Sequence, residues 1–200
     1  MEYQKLILLS DIKNEVKNKE IYIVGGGESS KSFKKQKGNI IISLNDSYDN
    51  ADYTIVMDGK KRFDEKRWNN INAKSKKIIT QLEQKQLELT DPSKIINFLL
   101  NNQVTGWYDL DKTNEIGIAY TSAFSAVQIA YQLGAKIIYL VGVDLNDHHL
   151  NKFSSQIKEA FKSIDLALKS KGIELINLSN ISILKDTITT ISKTNEIENN

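Results

Sequence analysis

Short apolar runs rich in β-branched residues alternate along the chain with longer segments whose apolar positions recur every three or four residues. The first pattern reads as strand and the second as helix. Strands are predicted at 21–24, 40–43, 53–57, 77–80, 137–141 and 173–176. Several are apolar at consecutive positions, as strands covered on both faces should be. One helix is predicted from Asp91-Pro92, with Ile95, Phe98 and Leu99 as its apolar stripe, because Asp caps free N–H groups and Pro suits a first turn. A second opens at Thr121-Ser122, carries Phe124, Val127, Ala130 and Tyr131, and ends at Gly134. A third repeats Phe153, Ile157, Phe161, Ile164 and Leu168 until Gly172. A further helix is expected just after Ser29 and Ser30. Such alternation implies βαβ units, hence the class α/β: a single Rossmann-like domain, its sheet mainly parallel, with helices on both faces.

The stretch from Asn101 to Ile116 has the weakest pattern and is expected to be a loop over the site. Residues 1–192 read as one nucleotide-binding, transferase-like domain and 193–200 as a polar, frayed tail. At 200 residues a single domain can bury about 70% of its unfolded surface, so no staple is needed. Cysteine is absent, which excludes disulfides, thiolate metal sites and cysteine nucleophiles and suits the cytoplasm. The apolar run from Leu6 to Leu9 is too short for a secretory signal, and no membrane span is expected. With 27 basic and 25 acidic residues interspersed, the charge balance does not indicate a nucleic-acid partner. A small-molecule nucleotide is the expected partner, and a homo-oligomer is compatible with the sequence.

Candidate chemistry begins where the first long predicted strand runs into Gly25-Gly26-Gly27-Glu28-Ser29-Ser30. Glycines let backbone N–H groups approach a phosphate, and a helix N-terminus behind them adds positive potential. A tight turn that binds nothing has the same composition. The loop lacks the Gly-Lys-Ser/Thr ending of a P-loop, and Ser30 stands where a dinucleotide loop has its third glycine. Glu28 repels a phosphate unless Lys31, Lys34 and Lys35 turn inward to offset it.

Asn45, Asp46, Asp58 and Asp144 all fall at predicted C-terminal strand ends, which in an open parallel sheet share one edge, where ligands bind. Each also has a bland use in a turn or cap. His148 and His149, the only histidines, follow Asp144 closely and are the candidates for a general base. No spacing supplies a complete zinc site; magnesium held by Asp46, Asp58 or Asp144 together with ligand phosphates is the alternative metal chemistry.

Several segments together resemble a known group. Ile23-Val24-Gly25-Gly26-Gly27-Glu28-Ser29 resembles the strand and G-x-G-P-S-L loop of bacterial sialyltransferases and of proteins grouped with archaeal hydroxymethyl-dihydropterin diphosphokinases. Ser43-Leu44-Asn45 resembles their second-strand ending, and Thr121-Ser122-Ala123 their T-S-G before a long helix. The stretch from Leu133 to Asp144 is similar to their "LG-x-K-x-IYL-x-G-x-D". The resemblance implies a Rossmann-like transferase holding a nucleotide against the glycine loop (Gly25, Gly26, Gly27 and Ser29), Asn45 and the helix start at Thr121 and Ser122, to which Asp46 and Asp144 are added as binding candidates by their place at strand ends. It implies either a nucleotide-activated donor such as a CMP-sugar or, on the diphosphokinase side, ATP with magnesium. Gly26 stands where the sialyltransferase loop has asparagine, Glu28 where it has proline, and Ala123 where it has glycine. The segment between Asp144 and Lys152 is far shorter than the lid that carries a sialyltransferase's catalytic histidine.

The leading expectation is therefore a small glycosyltransferase-like enzyme, with Asn45 and Ser122 on the nucleotide and a histidine taking the acceptor's proton. A magnesium-dependent diphosphokinase acting on a pterin-like molecule is the second reading, and a noncatalytic nucleotide-binding protein the third.

Overall fold

The computed structural model describes residues 7–89, 91–101, 109–146 and 150–191. Its strands are β1 (Ile7–Leu8), β2 (Lys19–Val24), β3 (Ile40–Leu44), β4 (Tyr53–Ile55), β5 (Ile78–Thr80) and β6 (Ile95–Asn97), followed by β7 (Leu99–Asn101), β8 (Glu115–Gly117), β9 (Ala135–Val141), β10 (Glu174–Asn177) and β11 (Thr189–Thr190). Among the described residues nine of them form one sheet in the order β1-β6-β5-β4-β3-β2-β9-β10-β11. Every ladder in it is parallel. β7 and β8 pair separately, also in parallel. All the strands read from the sequence are present, displaced by at most two residues at an end.

Alternate side chains sort to the two faces as a pleated sheet requires. Ile21, Ile23, Ile42, Leu44, Ile55 and Ile79 share a core with the buried stripes of α3 (Ser122–Gln132) and α4 (Ser154–Ser170). On the other face Val56, Ile78 and Ile95 pack on Trp68 and Ile71 of α1 (Glu65–Lys74), with Leu87 from the single turn α2 (Gln84–Leu87). In front of β2, β3 and β9 that second face is covered by aromatic rings instead of a helix. Tyr22 stacks on Phe33 at 5.4 Å and on Tyr139 at 4.6 Å, and Phe33 meets Tyr48 edge-on at 5.7 Å.

Two predicted helices are corrected. After Asp91-Pro92 there is only a 3-10 turn, Pro92–Lys94, and the chain then enters β6 and β7. Asp91 does cap, accepting from the Ser93 N–H at 3.1 Å. The stripe assigned to a helix is not one face, however: Ile95 and Phe98 are buried whereas Leu99 is 67% exposed. The β-branched pair Ile95-Ile96 slots between β5 and β1 and overrides the capping signal. After the glycine loop the expected helix is likewise one 3-10 turn, Glu28–Ser30. Its serine hydroxyls bond elsewhere, Ser30 Oγ to the Gly27 carbonyl at 2.8 Å and Ser29 Oγ to Asp144 at 2.6 Å, offering the backbone an alternative to helix. The stretch expected as a loop from Asn101 to Ile116 ends in β8, whose Ile116 is fully buried, while 102–108 lie outside the described residues. So does the tail at 193–200. No described helix is long and apolar enough to cross a membrane.

Candidate functional site

Chain order fixes where a ligand can enter. From β2 the chain moves through β3, β4 and β5 toward one edge of the sheet, whereas from β9 it moves through β10 toward the other. The neighbours β2 and β9 therefore send their exits in opposite directions, and an open parallel sheet carries its binding crevice at such a switch point. A cleft of about 610 Å³ lies there, over the C-terminal ends of β2, β3, β4, β5 and β9 and against the start of α3.

At the switch point the two exits are in close contact. A Cβ on Gly25 would stand 2.5 Å from the Gly142 carbonyl oxygen, and one on Gly27 would stand 2.6 Å from Asp144 Cγ and 2.7 Å from the same carbonyl. Gly142 itself has φ +63 and faces Ser30. Gly26 is different: its nearest neighbour would be Ser47 Oγ at 3.5 Å, an ordinary contact. The N–H of Gly25 donates to the Val141 carbonyl at 2.8 Å and that of Gly27 to the Gly142 carbonyl at 2.9 Å. Of the three glycine N–H groups, only that of Gly26 has no partner among the described residues and remains for a ligand.

Asp144 clamps this arrangement. Its side chain, 3% exposed, accepts from Ser29 N–H at 3.2 Å, from Ser29 Oγ at 2.6 Å and from Ser179 Oγ at 2.6 Å. Ser29 Oγ in turn accepts from the Gly142 N–H at 3.0 Å. Ser29 thus ties the loop to β9 and is not among the residues lining the cleft, whereas Asp144 forms part of its floor.

Asn45 and Asp58 line the cleft from the ends of β3 and β4, and Thr121 and Ser122 from the start of α3. The Thr121 side chain caps that helix by accepting from Ala123 N–H at 3.2 Å. The side chains of Asn45, Asp58 and Ser122 have no hydrogen-bond partner among the described residues. Gln81, after β5, gives its amide to the Met57 carbonyl at 2.8 Å, leaving a buried Oε1 without a partner. Asp46 does not line the cleft. It holds Arg67 of α1, which does, through Nε at 3.0 Å and Nη2 at 2.7 Å. Hydrogen bonding to Asp46 raises the Arg67 pKa above its ordinary value, and the guanidinium also lies 5.2 Å over the Phe63 ring.

Left-handed backbone concentrates here as well. Asn45, Tyr120 and Leu145 all have positive φ, near +55 to +60, and all three line the cleft. For a bulky residue this is a strained conformation, found mainly where function over-determines the backbone. Tyr120 is held by stacking on Phe153 at 4.1 Å with rings 9° from parallel.

His148 and His149 lie outside the described residues; Asn146 and Leu150 on either side of them line the cleft. Lys31 pairs with Glu28 of the loop and so offsets its charge, whereas Lys35 pairs with Asp52. Arg67, Gln81, Gly142 and Ser179 were not singled out as site residues from the sequence. Gly142 alone had a signal, standing two residues before Asp144 at a strand end.

The fold and the switch-point cleft together define a Rossmann-like architecture. Among solved structures it is similar to the sialyltransferase CstII from Campylobacter jejuni in complex with the substrate analogue CMP-3FNeuAc, with TM-score 0.54 and 17% identity over 87% of this chain and 86% of that one. It is also similar to CstII from Campylobacter jejuni in complex with cytidine-5'-monophosphate, with TM-score 0.51 and 16% identity over 87% and 85%. The apo α-2,3-sialyltransferase from Campylobacter jejuni gives TM-score 0.51 and 15% identity over 96% and 85%. At such identities the likeness is one of fold; it supports the sialyltransferase side of the resemblance and nothing in it supports the diphosphokinase side. The sequence matches no family model and no curated protein.

Proposed function

We propose that the chain is a small glycosyltransferase-type enzyme that takes its sugar from a cytidine-monophosphate donor bound in the switch-point cleft. The observation that carries this reading is the set of unpartnered polar groups converging there: the Asn45 amide, the Ser122 hydroxyl and the buried Gln81 Oε1. Asn45 and Ser122 are half-buried on the cleft wall and Gln81 Oε1 is buried beside it, and a ligand rich in donors and acceptors complements such a wall. The similar sialyltransferase folds hold CMP or its sugar analogue.

In this reading Asn45 and Ser122 hold the nucleotide, and Gly26 N–H and the first free N–H of α3 face the departing phosphate. The acceptor oxygen attacks the sugar's anomeric carbon, the bond to the phosphate breaks, and His148 or His149 takes the acceptor's proton. Ser29 and Asp144 keep the glycine loop against β9. The magnesium-dependent reading has less to stand on. Of the three carboxylates that could hold the metal, Asp46 is engaged by Arg67 and Asp144 by two serines, which leaves Asp58 to share a magnesium ion with ligand phosphates.

Thermal shift with CMP, CDP, UDP, ATP and GTP, each with and without magnesium, tests the proposal. At one hundred times Kd a ligand specific to the native state stabilises by about 2.7 kcal/mol, roughly 5–10 °C for a chain of this size. A response to CMP that needs no metal is expected. An ATP response that requires magnesium, with none to CMP, overturns the reading.

A further inference from the structure

A nucleotide or sugar donor brings negative charge, and the cleft is poorly equipped to receive it. Its acidic lining residues are Asp58 and Asp144, and among the described residues that line it the one basic side chain is Arg67. The features that sequence patterning suggested for this task are largely spent: the glycine loop leads into a single 3-10 turn, two of its glycine N–H groups are satisfied by Val141 and Gly142, and Lys31 and Lys35 are paired with Glu28 and Asp52.

Arg67 is held ready for an anion. Asp46 accepts from Nε at 3.0 Å and from Nη2 at 2.7 Å, and Phe63 lies under the guanidinium plane at 5.2 Å, so the fork has a fixed orientation. The two hydrogens on Nη1 make no bond to any described residue. Resting on the reading of the cleft as a nucleotide-donor site, we propose that Arg67 is the anion-recognising residue of the cleft, its free Nη1 edge binding a phosphate or carboxylate oxygen of the ligand. A guanidinium already oriented by a carboxylate gives up less side-chain freedom on binding, and its planar fork suits two-oxygen anions. Asp46, a candidate ligand from sequence, acts in this scheme as the residue that positions Arg67.

Isothermal titration of wild type, Arg67→Gln and Arg67→Lys with cytidine, CMP, CMP-3FNeuAc and pyrophosphate tests the inference. The Arg67–Asp46 pair is solvent-exposed on the arginine side, so the unliganded variants should melt within a few degrees of wild type. Arg67→Gln should weaken the charged ligand about 10- to 100-fold while cytidine binding stays unchanged, and Arg67→Lys should recover only part of the loss. A loss already seen with CMP assigns the phosphate; a loss confined to CMP-3FNeuAc assigns the sugar carboxylate; both support the inference. If pyrophosphate binds wild type and is lost in Arg67→Gln while no cytidine compound binds, Arg67 stands as the anion receptor and the cytidine reading falls. Equal affinity of wild type and Arg67→Gln for every anion, or no binding of any anion to wild type, overturns the inference.

Discussion

Replacing Gly27 by alanine should destabilise the fold, and replacing Gly26 should not, although the two are adjacent in one loop. The Cβ of Gly27→Ala would stand 2.6 Å from Asp144 Cγ and 2.7 Å from the Gly142 carbonyl oxygen, distances that ordinary Cβ contacts do not reach. Gly142 is backbone at a strand end, and Asp144 is a buried side chain held by two serines, so neither yields freely. Overpacking of this kind costs about 1–3 kcal/mol, and displacing Asp144 weakens its bonds to Ser29 and Ser179 by about 1 kcal/mol more. The sum, about 2–4 kcal/mol, is a drop of roughly 5–15 °C in Tm for a chain of this size. Gly26→Ala meets only Ser47 Oγ at 3.5 Å, outside the left-handed region, and should be neutral within about 1 kcal/mol. Urea unfolding of both variants beside wild type measures the contrast. Equal stability of the two variants would refute the idea that Gly27 is a glycine because of its contact with Gly142 and Asp144.

Ser179→Ala removes the 2.6 Å bond to Asp144 from a site 1% exposed, and should cost about 1–3 kcal/mol by chemical denaturation; an unchanged midpoint contradicts the clamp. Burial pushes the Asp52 carboxyl pKa up, but hydrogen bonds from Lys35, the Ile41 N–H and Lys76 outweigh it and hold it below the usual carboxylate range. Its contribution to stability is therefore present above the unfolded value, about 3.9, and is lost as pH falls through the lowered folded value. Asp52→Asn should flatten the stability profile below about pH 4, and a profile parallel to wild type there speaks against the assignment. Alanine at the correct member of the pair His148 and His149 should lower turnover by roughly 100- to 10,000-fold with little change in nucleotide affinity, and full activity of the double variant removes both from the mechanism.

The parallel core was legible because strands buried on both faces carry apolar β-branched residues in succession, as in Ile40-Ile41-Ile42. α3 and α4 were legible from their apolar periodicity and from the capping threonine before α3. β6 was not, because Asp91-Pro92 is a true capping signal attached to a single turn, and the choice of strand came from the vacant position between β5 and β1. β1 and β11, two residues each, carry no period to read. At the site, Asn45, Asp58 and Asp144 were found by the rule that parallel strands end at one edge. Their separate fates depend on contacts across the chain, Asp144 with Ser29 and Ser179 and Asp46 with Arg67, that no local pattern encodes. Arg67 in particular sits on the polar face of an ordinary surface helix, where sequence offers nothing to distinguish it.

If the cleft over β2, β3 and β9 is a nucleotide site, a crystal structure of the complex with CMP will show the nucleotide seated in it. There the Asn45 and Ser122 side chains should lie within hydrogen-bond distance, about 2.7–3.2 Å, of its polar atoms. CMP bound elsewhere on the protein, or lying in the cleft beyond reach of both side chains, would contradict this assignment.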